Sequence, residues 1–199
     1  MKNAYFKNDA VHQGCNIKDI IINSEVFADV SFEDSLLTNI RILQSNAVRI
    51  AFVNSVLERS DFSNSRLEKS FFRDSQITNS KVTGINFNES KLRNTNFINN
   101  KMDLSNFSCT NLENIEFKEC ILTDSVFQQA KLKKVSFVDC DLKNVDFSGA
   151  VLKEIDLRGS NITGLRIDTF NFKEVTISPI QALYFAELLG LKINFDSSL

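Results

Sequence analysis

One apolar residue recurs at every fifth position along most of this chain, and no other feature limits the possible folds so strongly. The segment VSFVDCDLKNVDFSGAVL, residues 135–152, contains Phe137, Leu142, Phe147 and Leu152. The same spacing, followed from residue 17 to residue 177, gives 33 positions, of which 32 are Ile, Leu, Val, Met or Phe. The exception is Ala47, which is also apolar. An internal repeat held in one frame for so long predicts a solenoid.

A period of five fits neither a long helix nor a straight strand. On an α-helix, five residues advance about 500°, so the apolar residues would spiral around every side. On a strand, an odd period sends successive residues to opposite faces. The repeat therefore predicts a chain that turns a corner in each quintet and aims each fifth residue, here called a central residue, at one axis.

A second column of small residues lies two positions before the central residues. Its serines are Ser55, Ser60, Ser65, Ser70, Ser75, Ser80, Ser90, Ser105 and Ser125, and Cys120 and Cys140 follow later. Small side chains at this position indicate a second inward corner with limited volume. Glu25 and Asn100 interrupt the column, and we interpret both, like Ala47, as packing irregularities rather than as sites. A buried Asn100 requires hydrogen-bond partners.

Consecutive quintets of residues 140–164, CDLKN, VDFSG, AVLKE, IDLRG and SNITG, resemble the A(D/N)LXX signature of the bacterial pentapeptide-repeat family. The resemblance implies the family's fold, an all-β solenoid in the form of a right-handed quadrilateral β-helix with four quintets per coil. The chain would then form about eight coils at about 4.8 Å each. We expect an irregular N-terminal cap at 1–14, the β-helix at 15–177, and a C-terminal helix and tail at 178–199.

Twenty-residue spacing then predicts which central residues stack above one another in the structural core. The predicted core residues are Phe87, Phe97, Phe107, Phe117, Phe127, Phe137 and Phe147, with Leu112, Leu122, Leu132, Leu142 and Leu152. In the earlier coils the large residues fall on different walls. We therefore expect the aromatic pair to turn by about a right angle between residues 72 and 87.

A short apolar α-helix is predicted after the repeat, where it would cap the end of the β-helix. Ser178 is a suitable N-cap, Pro179 suits the first turn, and Gly190 is a suitable C-terminal stop. Its apolar residues include Ile180, Leu183, Tyr184, Phe185, Leu188 and Leu189. A helix that is apolar on nearly all sides is buried against more than one partner. Similar helices in the family dimerise, so we expect a homodimer; a monomeric cap is the alternative.

Residues that carry out chemistry are scarce, and we expect no enzyme activity, no metal and no cofactor. His12 is the only histidine, which excludes a site built from several imidazoles. The inward serines have no histidine to activate them, and the four cysteines form no C-x-x-C pair. The composition of 23 Lys and Arg against 25 Asp and Glu shows no surplus of either charge. Without a signal-like or membrane-spanning segment, a cytoplasmic protein that does not enter the membrane is expected.

The charges on the outward columns indicate which kind of partner the rod could bind. Some family members protect DNA gyrase or topoisomerase IV against quinolones and other poisons, with an acidic rod that mimics DNA. Here the wall over Phe117 and Phe137 mixes Glu116, Glu119, Asp139 and Asp156 with Arg59, Lys118 and Arg158. The wall over Leu132 carries a basic ridge: Arg73, Lys91, Arg93, Lys131, Lys133, Lys134, Lys153 and Lys173, offset in part by Asp74, Glu113, Glu154 and Glu174.

These charges favour a non-enzymatic interaction or scaffold protein whose partner is unknown. The alternative is a DNA-mimicking binder of DNA gyrase or topoisomerase IV, for which the rod has the shape but not the charge. Direct nucleic-acid binding through the basic ridge is the least favoured reading, because Lys alternating with Glu usually marks a solvated face.

Overall fold

The chain winds into a parallel β-solenoid, in a computed structural model that describes residues 4–168 and 172–194. Paired strands are parallel, and their partners lie twenty residues apart, as in Val11 with Ser31 and Leu112 with Leu132. The predicted quadrilateral β-helix of about eight coils is therefore confirmed, together with its single C-terminal helix.

Strands in the first coils are short, and those of the later coils continue around one corner. The strands are β1 Val11–Gln13, β2 Asn16–Lys18, β3 Ile21–Asn23, β4 Val26–Ala28, β5 Ser31–Glu33, β6 Leu36–Thr38, β7 Arg41–Leu43, β8 Asn46–Val48, β9 Ala51–Val53, β10 Val56–Glu58, β11 Phe71–Arg73, β12 Gln76–Thr78, β13 Lys91–Ile98, β14 Asn111–Lys118, β15 Lys131–Val138, β16 Val151–Asp156 and β17 Phe172–Thr176. Isolated parallel bridges such as Lys101 with Ile121 continue the ladder on the other two walls.

A residue with left-handed backbone conformation makes each corner. In the turn from Phe62 to Ser65, the Ser65 amide donates to the Phe62 carbonyl at 3.2 Å, and Asn64 has a φ of 56°. Asn, Asp and Gly tolerate this conformation best, which explains their frequency two residues after the central position. At Gly164 an added Cβ atom would meet the Oδ1 of Asn144, so any other residue at this corner requires the Asn144 side chain to move.

The core consists of side chains stacked at the coil spacing. Phe107 and Phe127 lie parallel with centroids 4.6 Å apart, and Phe117 and Phe137 do so at 5.0 Å. The two stacks meet edge to face, as in Phe117 with Phe127 at 6.3 Å and 89°. Every predicted core Phe and Leu is buried. Offset-parallel and edge-to-face contacts are the preferred geometries for aromatic rings.

The aromatic stack changes wall where the sequence predicts it. Phe32, Phe52 and Phe72 form one stack with centroids 5.3 and 5.1 Å apart. Phe72 then meets Phe87 edge to face at 5.6 Å and 84°, and the stack continues from Phe87 to Phe107. A void of only about 10 Å³ lies at this step, so the core stays closely packed across it.

The inward serines bond the backbone of the neighbouring coil. The Ser35 amide donates to Ser55 Oγ at 3.1 Å, and Ser55 Oγ donates to the Phe32 carbonyl at 3.1 Å. Asn100 also bonds the backbone of the neighbouring coil. Its Oδ1 accepts from the Ser80 amide and its Nδ2 donates to the Ile77 carbonyl, both at 2.8 Å. Buried Asn100 is thus a satisfied member of the column.

The regular ladder begins earlier than the sequence suggests. β1 lies within residues 1–14, which we expected to form an irregular cap, and it pairs in register with β5. His12 occupies a central position and stacks on Phe32 with centroids 5.2 Å apart. A pattern that counts only aliphatic residues and Phe misses this ring. The cap is shorter: a 3₁₀ helix, Ala4–Phe6, places Phe6 against Phe27 and Phe32.

The C-terminal helix α1, Pro179–Leu188, closes the other end through polar and aromatic contacts. Ser178 and Gln181 form a capping box at its start. The buried Gln181 side chain also donates from Nε2 to the carbonyls of Leu157 at 2.6 Å and Ser160 at 2.9 Å. Tyr184 donates from its hydroxyl to the Leu165 carbonyl at 3.1 Å. These bonds satisfy carbonyl groups at the end of the solenoid.

Candidate interaction surfaces

In the described coils, the histidine and the two buried cysteines are held by hydrogen bonds and ring contacts. His12 Nε2 lies 2.8 Å from the Tyr5 carbonyl, and its ring is stacked. The thiols of Cys120 and Cys140 donate to the carbonyls of Phe97 and Phe117, each at 3.3 Å. The neighbouring Cys120 thiol and burial raise the pKa of Cys140. Among residues 4–168 and 172–194, no group of His, Cys, Asp and Glu is arranged to hold a metal.

The basic ridge lies on the wall over Leu92, Leu112, Leu132 and Leu152, where strands β11 and β13–β17 bring its cations into register. One outward column reads, coil by coil, Arg73, Arg93, Glu113, Lys133, Lys153 and Lys173. The next outward column contains Lys91, Asn111, Lys131 and Val151. The ridge therefore extends over consecutive coils, with Glu113 between cations of the first column and Asn111 between those of the second.

Glu113 holds the middle of the ridge together. Its Oε1 accepts from Lys133 Nζ at 2.8 Å, and its Oε2 lies 3.7 Å from Arg93 Nε. The hydrogen bond from Lys133 lowers the pKa of Glu113, and the same bond raises the pKa of Lys133. Farther along, Glu154 lies 3.5 Å from Lys153 and 3.9 Å from Lys134. Lys91 and Lys131 have no ion pair within the described part of the chain.

The wall over Phe117 and Phe137 carries acidic residues that do not form an uninterrupted stripe. Arg158 binds Asp156 through Nε at 3.0 Å and through its terminal nitrogen at 2.7 Å. This hydrogen bonding lowers the pKa of Asp156 and keeps it ionised but neutralised. Lys118 separates Glu116 from Glu119 along the chain.

The C-terminal helix leaves an apolar groove beside the last coil. The groove has a volume of about 210 Å³ and is lined by Val175, Ile177, Phe185 and Leu189. Of the residues predicted to cap or dimerise, Tyr184 and Phe185 are half-buried against the solenoid. The others, Ile180, Leu183, Leu188 and Leu189, are exposed, with Ile180 at 77% and Leu189 at 61%. None of the helices in the described ranges is long and apolar enough to cross a membrane.

The residue that attaches this helix is Gln181, which the apolar pattern did not single out. A signal was present, because Ser178 followed three residues later by Gln is a capping-box sequence. Its bonds to Leu157 and Ser160 depend on where the last coil ends, and no sequence spacing predicts that contact.

Comparison with known proteins agrees with this architecture. The model of the pentapeptide repeat region matches residues 50–125, 70–147 and 111–183. Two trypsin-treated forms of QnrB1, a plasmid-mediated fluoroquinolone resistance protein, are 17% identical with a TM-score of 0.53, covering 94% of this chain and 99% of theirs. The pentapeptide repeat protein Rfr23 from the cyanobacterium Cyanothece 51142 is 15% identical with a TM-score of 0.29, covering 85% and 88%.

No curated protein matches the chain in sequence. The family model nevertheless spans well over half of the residues in overlapping matches. The chain belongs to the pentapeptide-repeat family.

Proposed function

We propose that this protein is a non-enzymatic interaction or scaffold protein that acts through the walls of its rod. The observation that carries the proposal is the complete use of the interior: central side chains fill it, and inward hydroxyls and thiols bond the backbone, as with Ser55 and Cys120. The void beside Phe72 and Phe87, among the described central side chains, has a volume of only about 10 Å³, too small for a substrate. The regular walls provide surfaces of fixed spacing, which suit recognition of another macromolecule.

Capture of a partner at about 0.15 M salt, in cells that produce the protein, tests this proposal. We expect a protein to co-purify in a fixed ratio and to re-form the complex from purified components. Failure of any protein to do so would contradict an interaction function. The four unpaired cysteines favour a reducing compartment, so we propose a cytoplasmic location.

We also propose that the protein is a homodimer formed through α1. The support is the apolar groove beside Phe185 and Leu189 together with the exposed Ile180. A second copy that covers these side chains would remove apolar surface from water, which is favourable by roughly 25 cal/mol per Å².

The alternative function is binding of DNA gyrase or topoisomerase IV by DNA mimicry. Its support is the rod fold shared with QnrB1, and the basic ridge argues against it because a DNA mimic needs a negative surface. A gyrase supercoiling assay with a fluoroquinolone separates the two functions. Restored supercoiling at micromolar protein would favour mimicry, and no effect would exclude it.

A further inference from the structure

Cations of the basic ridge stand directly opposite one another on neighbouring parallel strands. Arg73 is in register with Arg93, and Lys153 is in register with Lys133 on one side and Lys173 on the other. Like charges directly opposite each other on adjacent strands are destabilising. Asp74 and Glu154 offset part of this repulsion, because they lie 3.5 Å from Arg73 and from Lys153 respectively.

Other parts of the rod show that this fold compensates such charges when they occur. Arg49 is bound by two hydrogen bonds to Asp29, twenty residues earlier. Lys69 lies 3.6 Å from Glu89, twenty residues later. On the ridge, only Glu113 plays this part within the column from Arg73 to Lys153. Lys81 and Lys101 are also in register on another wall, so the ridge is distinguished by the length of its cationic column, from Arg73 to Lys153.

We propose that the basic ridge binds an acidic segment of a partner protein in an extended conformation. This inference rests on the proposed interaction function and names the chemistry of the partner. The ridge is a β-sheet wall with side chains standing perpendicular to it, at coil intervals of about 4.8 Å. Long lysine side chains such as Lys91 and Lys131 can adjust to carboxylates of a segment lying along the wall.

A protein segment fits the surface better than a nucleic acid. The whole chain carries a net charge of −2, which disfavours association with a long polyanion. The carboxylates of Glu116 and Asp139 lie on the neighbouring wall and repel a wide polyanion. A narrow acidic segment stays on the ridge and avoids them.

A fluorescein-labelled peptide of alternating Glu and Thr tests the proposal by fluorescence anisotropy. About eight residues at about 3.3 Å each span the ridge. We expect binding to weaken as salt rises from about 50 to 200 mM, because exposed charges are screened. The double variant Lys131→Glu, Lys153→Glu should bind at least about tenfold more weakly. The control double variant Lys101→Glu, Lys143→Glu makes the same charge change on another wall and should stay within about twofold.

Thermal unfolding separates loss of binding from loss of fold. The ridge variant should unfold at nearly the same temperature as the natural chain, because residues 131 and 153 are both exposed on the wall. The proposal is overturned if the natural chain does not bind the peptide at low salt, if the control variant loses as much binding, or if a DNA duplex of equal charge binds more tightly than the peptide. A captured partner retained by the ridge variant would overturn the ridge proposal and leave the interaction function intact.

Discussion

A central phenylalanine of this rod contacts rings above, below and across the axis. Phe127 stacks on Phe107 and Phe147 at 4.6 and 5.0 Å and meets Phe117 and Phe137 edge to face. Phe127→Ala should therefore lower the free energy of unfolding by about 3–5 kcal/mol, because it removes these contacts and leaves a cavity. Urea denaturation measures the change.

A change of Val151 to alanine provides the control for that measurement. Val151 is an outward residue with 54% of its surface exposed, so its truncation should cost less than about 0.5 kcal/mol. A loss below about 1 kcal/mol for the Phe127 variant would contradict its place in the stacked core.

Leu104 occupies a corner position that suits a different residue type. Its φ is +59°, and 60% of its surface is exposed. Asparagine adopts left-handed conformations more readily because its side chain bonds locally. Leu104→Asn should therefore raise the free energy of unfolding by about 0.5–1 kcal/mol. Leu104→Ala keeps the disfavoured conformation and should give no such gain; equal stabilisation by both changes would contradict the backbone explanation.

At the scale of the element, the attachment of α1 depends on one polar side chain. Gln181 bridges the helix start and the carbonyls of Leu157 and Ser160. Gln181→Leu removes the donor to the Ser160 carbonyl and leaves the Leu157 carbonyl with only the Ser160 amide, at a cost of about 1–3 kcal/mol. We expect hydrogen exchange of the helix amides to accelerate about tenfold, while exchange in β14 and β15 stays unchanged.

Glu187→Gln is the matched control for this experiment, since Glu187 is exposed on the same helix. It should leave exchange within about twofold. Unchanged exchange in the Gln181 variant would mean that the half-buried Tyr184 and Phe185 hold the helix without the glutamine.

The elements differ in how far the sequence predicts them. The quintet frame identifies the walls and core because a central side chain must point inward wherever the chain turns every five residues. The frame does not predict β1, because its central residue is His12. Histidine counts as polar in an apolar pattern, although its ring stacks on Phe32 as a phenylalanine would. It also predicts α1 without predicting its contact, because the apolar pattern does not show that Gln181 reaches the last coil. Both misses lie at the ends, where the repeat stops constraining the chain.

For the whole molecule, association through α1 is the property most open to measurement. The chain has a mass of 22.6 kDa, and we expect light scattering to give about twice that value. Leu189→Glu places a charge in the apolar groove, where burial without a partner is costly, and should give the monomer mass. Val151→Glu makes the same kind of change on a wall and should stay dimeric. A natural chain of monomer mass would establish α1 as a cap only.

The edge-to-face meeting of Phe72 and Phe87 has a consequence for how such a rod can change length. Fifteen residues separate the two phenylalanines, five fewer than one complete circuit. Adding a single quintet between them would rotate the later coils by a quarter turn and place both rings in one stack. Adding four quintets would lengthen the rod by about 4.8 Å and leave every orientation intact. An insertion of whole quintets therefore changes the angle between the two ends of the rod unless its length is a multiple of twenty residues, in which case it changes only the distance between them.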